Sequence, residues 1–188
     1  VGSEMCIRDR NICISTPQTS LVLNAPTGGE LKYLYYGSKL SETDLQNINE
    51  AKNCDHTAYP VYGMNCPSET ALSVRHADGN MSTQMEIVGV DTDKDAQSTL
   101  TTVRLKDKVY PFYINVCYKA YTNVDMIETW TEISHSEKKP VCLTQFASAY
   151  LPIRRGNVWL SHLSGSWANE GQLTQEPLPV SYTHLTLP

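Results

Sequence analysis

Residues 109–122, VYPFYINVCYKAYT, followed by 124–135, VDMIETWTEISH, and 141–153, VCLTQFASAYLPI, decide the fold class. Each run alternates apolar and polar side chains with period two, as a strand does when successive side chains point to opposite faces. Lys138-Lys139-Pro140 separates the second run from the third. Upstream, residues 98–106 and 82–90 read as strands on either side of 91–97. Residues 71–77, ALSVRHA, alternate cleanly and end on the turn signal Asp78-Gly79-Asn80. Nearer the amino end, residues 11–25, NICISTPQTSLVLNA, form two short alternating runs around Pro17. Pro26-Thr27-Gly28-Gly29 then turns the chain into residues 30–40, ELKYLYYGSKL, as a hairpin-like opening.

Many strands at hairpin spacing and almost no helix predict an all-β fold, a large antiparallel β-sandwich. The one helical pattern is residues 41–52, SETDLQNINEAK. There Ser41, followed three residues on by Asp44, can cap a short surface helix, with a mobile loop as the alternative. Toward the carboxyl end, residues 157–173, NVWLSHLSGSWANEGQL, alternate again and carry Trp159 and Trp167. Gly165 is expected to mark a kink or bulge that re-aims Trp167 into the sandwich. Glu170 is expected to partner a backbone or Arg donor. Gly165, Trp167 and Glu170 are thus read as structural.

Eleven tyrosines against two phenylalanines suit wide antiparallel sheets, whose rings pack on one side and hydrogen-bond on the other. Carbohydrate surfaces also favour Tyr and Trp. A net charge of −5 argues against a nucleic-acid partner, which needs a clustered basic face. The pair Arg154-Arg155 reads as a solvated turn.

The tails read as something other than protein. Residues 180–185, VSYTHL, can be encoded GTC TCT TAT ACA CAT CT, whose reverse complement contains ATG TGT ATA AGA GAC, Met-Cys-Ile-Arg-Asp. That is the sequence of residues 5–9. Residues 1–10 and 180–188 are therefore expected to be translated sequencing adaptor, excluded from fold reasoning. Residues 11–179 would then be one domain of a longer protein. The compartment stays open between cytoplasm and periplasm.

With Cys6 in a tail, Cys13, Cys54, Cys66, Cys117 and Cys142 remain, without a CxxC pair or zinc-ligand spacing. Cys117 and Cys142 lie in strand patterns and read as small buried hydrophobes. Cys54 and Cys66 flank one loop and can pair as a disulfide in an oxidising compartment. His56, His76, His135 and His162 form no HxH or HxxxH pair, and His76 and His162 read as satisfied, half-buried strand residues. Asp91, Asp93 and Asp95 imitate a calcium loop, but Ala96 stands where the sharp turn wants Gly. A solvated acidic hairpin loop is the expectation. No metal or cofactor is expected. Composition leaves a Ser/His/Asp arrangement open, yet no GxSxG elbow or phosphate loop is present. Glu128 and Glu132 are carboxylates on a strand, and nothing marks them as a paired acid and nucleophile. No catalytic residue is assigned.

Residues 53–68, NCDHTAYPVYGMNCPS, have no clear period and the densest mix of polar, aromatic and thiol groups in the chain. Long ordered loops of this kind often carry function. Residues 59–80, YPVYGMNCPSETALSVRHADGN, resemble the YPxYG … ALxVxxADG run in the amino-terminal domain of family 36 glycoside hydrolases, the α-galactosidases. Further likenesses follow in order. LKYLYYGSKL resembles that domain's opening hairpin, MIETWTEISHSEKKPVCLTQFASAYL its strand pair with a PVxL hinge, and HLSGSWANEGQL its closing segment.

The resemblance implies a β-supersandwich preceding a (β/α)8 catalytic barrel. Hydrolysis of terminal α-galactosides would proceed there with retention, through two barrel aspartates in motifs that this sequence lacks. It also implies α-galactoside oligosaccharides as the parent enzyme's substrates, a bacterial source, and an oligomer, tetrameric in several relatives. In those relatives the loop after YPxYG reaches a neighbouring active site, often through GTGD. Here Gly63-Met64-Asn65-Cys66 stands in its place, so the charged contact is absent and Asn65 becomes the better candidate. His56, Tyr62, Asn65 and Cys66 are the rim candidates. Neither nucleic acid nor membrane is an expected partner. The rival reading is a free-standing carbohydrate-binding or adhesion module.

Overall fold

The computed structural model describes residues 11–48, 57–64, 69–151 and 159–177. In chain order the strands are β1 (Asn11–Ser15), β2 (Thr19–Asn24), β3 (Lys32–Ser38), β4 (Leu72–Arg75), β5 (Met85–Lys94), β6 (Ser98–Asp107), β7 (Phe112–Tyr121), β8 (Ile127–His135), β9 (Cys142–Phe146), β10 (Trp159–Ser166) and β11 (Asn169–Pro177). The single described helix, α1 (Glu42–Asn47), follows β3. The chain divides into two units, Val1–Pro152 and Ile153–Pro188. The tails read as adaptor lie outside the described residues.

In the first unit, β1-β2-β3 form one antiparallel sheet, β5-β6-β7-β8 a second, and β4-β9 a two-stranded pair. Alternation builds the core between them. Along β7, Phe112, Ile114, Val116, Tyr118 and Ala120 are buried, while Tyr113 points outward. Val103 and Leu105 of β6 join them from the neighbouring strand, and Ile12, Ile14, Leu21 and Leu23 from β1 and β2 complete one hydrophobic cluster. Leu72 and Val74 of β4 join the same cluster. The expected antiparallel sandwich is the observed architecture.

Local chemistry agrees with the sequence where short-range rules decide. Ser41 caps α1 in a capping box, its hydroxyl accepting from Asp44 N–H while the Asp44 carboxylate accepts from Ser41 N–H. The turn after β2 closes with Gly29 N–H donating to Pro26 C=O at 2.9 Å. Asp125, in the β7–β8 connection, accepts from the hydroxyls of Thr16 and Thr19, so the β1–β2 turn is tied to the larger sheet.

Three expectations are corrected. Asp91 and Asp93 are not in a loop: β5 continues through them, paired with Thr102 and Leu100 of β6. An edge strand keeps one side in water, so aspartates there cost little, and Arg104 reaches Asp91 at 2.7 Å. Only Asp95 turns the chain, accepting from Gln97 N–H, Ser98 N–H and the Ser98 hydroxyl. Cys142 is exposed rather than buried, because every residue of β9 is exposed and, among the described strands, it pairs only with β4. His76 is fully buried, not half-buried.

The second unit is the β10–β11 hairpin. Its register shifts between Ser164 and Ser166, so the bulge expected at Gly165 is present. Trp167 sits in the turn of the hairpin beside Ala168, whose φ is 61°. A residue at a hairpin tip has no cross-strand neighbour to cover it. Among the described residues, the Glu170 carboxylate has no partner.

Candidate functional site

The unpatterned loop of the sequence is partly described, as residues 57–64, and its geometry explains the spelling of YPVYG. Ala58 N–H donates to Leu31 C=O at 2.9 Å, which attaches the loop to the start of β3. Tyr59 is buried, and its hydroxyl donates to Ala147 C=O at 2.9 Å. Burial pushes that phenol's pKa up, so it remains a neutral donor. Pro60 has no N–H to satisfy, and its carbonyl accepts from Ala71 N–H at 2.8 Å. Val61 is buried and bridges Leu72 of β4.

Tyr62 faces the other way and is half exposed. Its backbone is nonetheless held on both sides, N–H to Leu72 C=O at 2.9 Å and C=O from Thr83 N–H at 3.0 Å. Gly63 follows with φ at 105°, and a Cβ there would stand 2.6 Å from Thr83 N and 2.8 Å from Ser82 Oγ. Only glycine fits both the dihedral and the space. Of the four rim candidates, Tyr62 is therefore placed on the surface of a tightly held turn. His56, Asn65 and Cys66 lie outside the described residues, as does Cys54.

The segment that presses on Gly63 is itself locked by a buried histidine. His76, at the end of β4, has its Nδ1 2.8 Å from Glu137 Oε1 and its Nε2 3.0 Å from the Thr83 hydroxyl. Its ring stacks on Tyr110 at 3.7 Å between centroids and meets Phe112 edge-on. Glu137 also accepts from Ala77 N–H at 2.9 Å. Burial raises the Glu137 pKa, but these hydrogen bonds outweigh it and hold the carboxyl below its ordinary value. Beyond His76, Gly79 takes φ 92° and Asn80 N–H donates to Asp78 Oδ1, closing the Asp78-Gly79-Asn80 turn. Tyr110 O–H donates to Asp78 Oδ2 at 2.7 Å, the largest of the effects that lower the Asp78 pKa.

A hydroxyl, an imidazole and a carboxylate in line have the parts of a nucleophilic triad. Access rules it out. Thr83 and His76 are both buried, so no substrate reaches the hydroxyl. Sequence reasoning missed this cluster because Glu137 lies 61 residues from His76.

Glu128 and Glu132, on the outer face of β8, are not an acid pair either. Glu132 accepts from Trp130 Nε1–H at 3.1 Å and Asn115 Nδ2–H at 3.2 Å, which lowers its pKa. A general acid needs the opposite shift. Glu128 accepts from the Tyr121 hydroxyl. Among the described residues no group of three or more His, Cys, Asp or Glu could hold a metal ion, and no described helix is long and apolar enough to cross a membrane.

The model of the glycosyl hydrolase family 36 N-terminal domain matches residues 29–185. Comparison with curated proteins gives no match. Among solved structures, the galactosidase domain of the alpha-galactosidase-sucrose kinase AgaSK superposes with a TM-score of 0.81 at 17% identity, over 91% of this chain and 28% of that one. The alpha-galactosidase from Lactobacillus brevis superposes at 0.76, with 17% identity, 90% and 27% coverage. AgaB from Geobacillus stearothermophilus superposes at 0.73, with 16% identity, 95% and 29% coverage. The chain spans less than a third of the length of the solved structures it matches.

Proposed function

Since the chain belongs to the glycosyl hydrolase family 36 N-terminal domains, we propose that it is the non-catalytic β-sandwich of a retaining α-galactosidase. Its work is to support a catalytic barrel and to supply a loop to the rim of the active site. The observation that carries this reading is the extent of the match: nine-tenths of the chain superposes on little more than a quarter of each α-galactosidase. Glu128 and Glu132 agree with it, being held as hydrogen-bond acceptors rather than poised as acid and nucleophile.

In this reading the held turn at Tyr59–Gly63 presents Tyr62 to substrate, and His56, Asn65 and Cys66 are the further rim candidates. Substrates are α-galactoside oligosaccharides of the kind bound in solved relatives, whose complexes include raffinose and stachyose. Residues 11–179 form the native domain, and the parent enzyme assembles as a homo-oligomer.

Reading the gene beyond codon 179 tests the core of the proposal. The expected result is a barrel with a KWD-type nucleophile motif and hydrolysis of p-nitrophenyl α-galactoside by the longer product, with none by the present chain. A stop codon within a few residues would remove the parent-enzyme reading. In the longer product Tyr62→Ala should raise KM more than it lowers kcat. The second reading, a free-standing carbohydrate-binding or adhesion module, is favoured by the exposed Trp159 and Trp167 of the hairpin, and the stop codon would leave it standing.

A further inference from the structure

The turn that carries Tyr62 sits in a slot with two walls, and the walls are held differently. On one side is β4, whose Leu72 C=O accepts from Tyr62 N–H at 2.9 Å and which is secured by its pairing with β9. On the other is Thr83, whose N–H donates to Tyr62 C=O at 3.0 Å. Residues 80–84 lie in no strand, so this wall has no ladder of its own and depends on side-chain anchors. His76 supplies an anchor that spans both walls. It follows Arg75, the last residue of β4, and its Nε2 lies 3.0 Å from the Thr83 hydroxyl. We propose that His76 and Glu137 are positioning residues for the contact of Tyr62 with substrate, acting through Thr83. The proposal rests on the reading of Tyr62 as a rim residue.

The chemistry of the three groups gives the brace a direction. The Glu137 carboxylate can only accept, and it meets Ala77 N–H at 2.9 Å and His76 Nδ1 at 2.8 Å, so a ring hydrogen sits on Nδ1. In the neutral ring Nε2 is then the acceptor and the Thr83 O–H the donor. Threonine is β-branched, so fixing its hydroxyl fixes χ1 and restrains the residue whose N–H meets Tyr62. Tyr110, stacked on the imidazole at 3.7 Å, and Phe112, edge-on to it, hold the ring plane.

The His76 and Glu137 side chains are 0% and 5% exposed, so water does not compete for these bonds. The slot also has little slack, since a Cβ on Gly63 would stand 2.6 Å from Thr83 N. A displaced Thr83 therefore displaces Tyr62. The burial that bars substrate from the Thr83 hydroxyl is what a positioning role requires.

Thr83→Val keeps the shape and the backbone N–H but removes the hydroxyl. In the 188-residue chain, hydrogen exchange followed by NMR should show protection of the position-83 amide falling about 2- to 10-fold, the worth of one hydrogen bond, while Val116 of β7 keeps its protection. Thr83→Ser, which retains a hydroxyl, should behave as the wild type. In the longer product Thr83→Val should raise KM for p-nitrophenyl α-galactoside by about the same 2- to 10-fold with kcat unchanged. Glu137→Gln, which turns one of two acceptor oxygens into a donor, should move KM in the same direction. Equal loss of protection at position 83 and Val116 would overturn the proposal, by showing a role in the whole fold rather than in the turn. No loss at position 83, or Thr83→Ser behaving as Thr83→Val, would overturn it too. If Tyr62→Ala raises KM and Thr83→Val does not, the positioning proposal falls and the rim reading stands. If Tyr62→Ala leaves KM unchanged, the rim reading itself falls and takes the proposal with it.

Discussion

Gly63→Ala should destabilise the chain far more than an ordinary surface glycine substitution, and the excess can be worked from two distances. The first cost is conformational: φ at 105° lies where a Cβ crowds the backbone, which costs about 1–2 kcal/mol. The second is steric. The new Cβ would meet Thr83 N at 2.6 Å, a backbone atom that cannot swing aside. Relief requires the two segments to part, which stretches the 3.0 Å bond from Thr83 N–H to Tyr62 C=O and forfeits about 1 kcal/mol. Together these give about 2–3 kcal/mol. For a domain of this size that is roughly a 4–12 °C fall in Tm. Gly79→Ala is the internal control. Its φ is 92°, but nothing lies within 4 Å of the added carbon, so it carries the conformational cost alone. Differential scanning calorimetry of the two variants separates the effects. If Gly63→Ala and Gly79→Ala melt together, the close approach to Thr83 contributes nothing, and the account of the held turn fails.

Other consequences follow from the same structure. Asp107 is buried and accepts from Gln84, Val109 and Tyr110 N–H groups at 2.6, 2.8 and 2.7 Å, so Asp107→Ala strands three donors and should cost about 2–4 kcal/mol by urea denaturation. Asp125, Asp95 and Asp78 all have lowered pKa values, set first by the Thr16 hydroxyl, Gln97 N–H and the Tyr110 hydroxyl respectively. A carboxylate with a depressed folded pKa gives stability that is present above the ordinary value near 4 and is lost as pH falls through the folded value. Chemical denaturation should therefore show stability flat near neutrality and declining below about pH 4, with Asp125→Asn flattening part of that decline. Cys142 is exposed, whereas Cys117 is buried with its thiol pKa pushed up by burial, so maleimide labelling read by peptide mass should modify Cys142 first. Equal labelling would contradict the burial of Cys117 between Thr102 and Trp130.

The strands were legible because period two is a property of the strand itself. β7 reads correctly from its letters, since each inward residue, Phe112 to Ala120, packs on one core. The same rule failed where burial depends on what lies opposite. Cys142 alternates like a core residue, but among the described strands β9 pairs only with β4 and stays exposed. The acidic run 91–95 failed for a related reason. Polarity looked like a loop, yet backbone pairing with Thr102 and Leu100 continues regardless of side chains that point to water. The His76–Glu137 pair was illegible because sequence patterns are local and this contact joins the end of β4 to the connection after β8.

The candidate loop shows how far a motif can be trusted. In YPVYG, Tyr59 reaches a carbonyl, Pro60 places an acceptor, Val61 fills the core, and Gly63 is the residue its dihedral and its neighbour allow. These letters are required by folding, so they carry information about architecture. Met64, the next residue, donates its N–H to Val61 C=O at 3.2 Å and packs partly buried against the core, and Asn65 and Cys66 lie outside the described residues. A motif match across this loop therefore supports the fold more strongly than it supports an inherited sugar contact, and Asn65 and Cys66 have to be tested by substitution in the longer product rather than assumed from the letters before them.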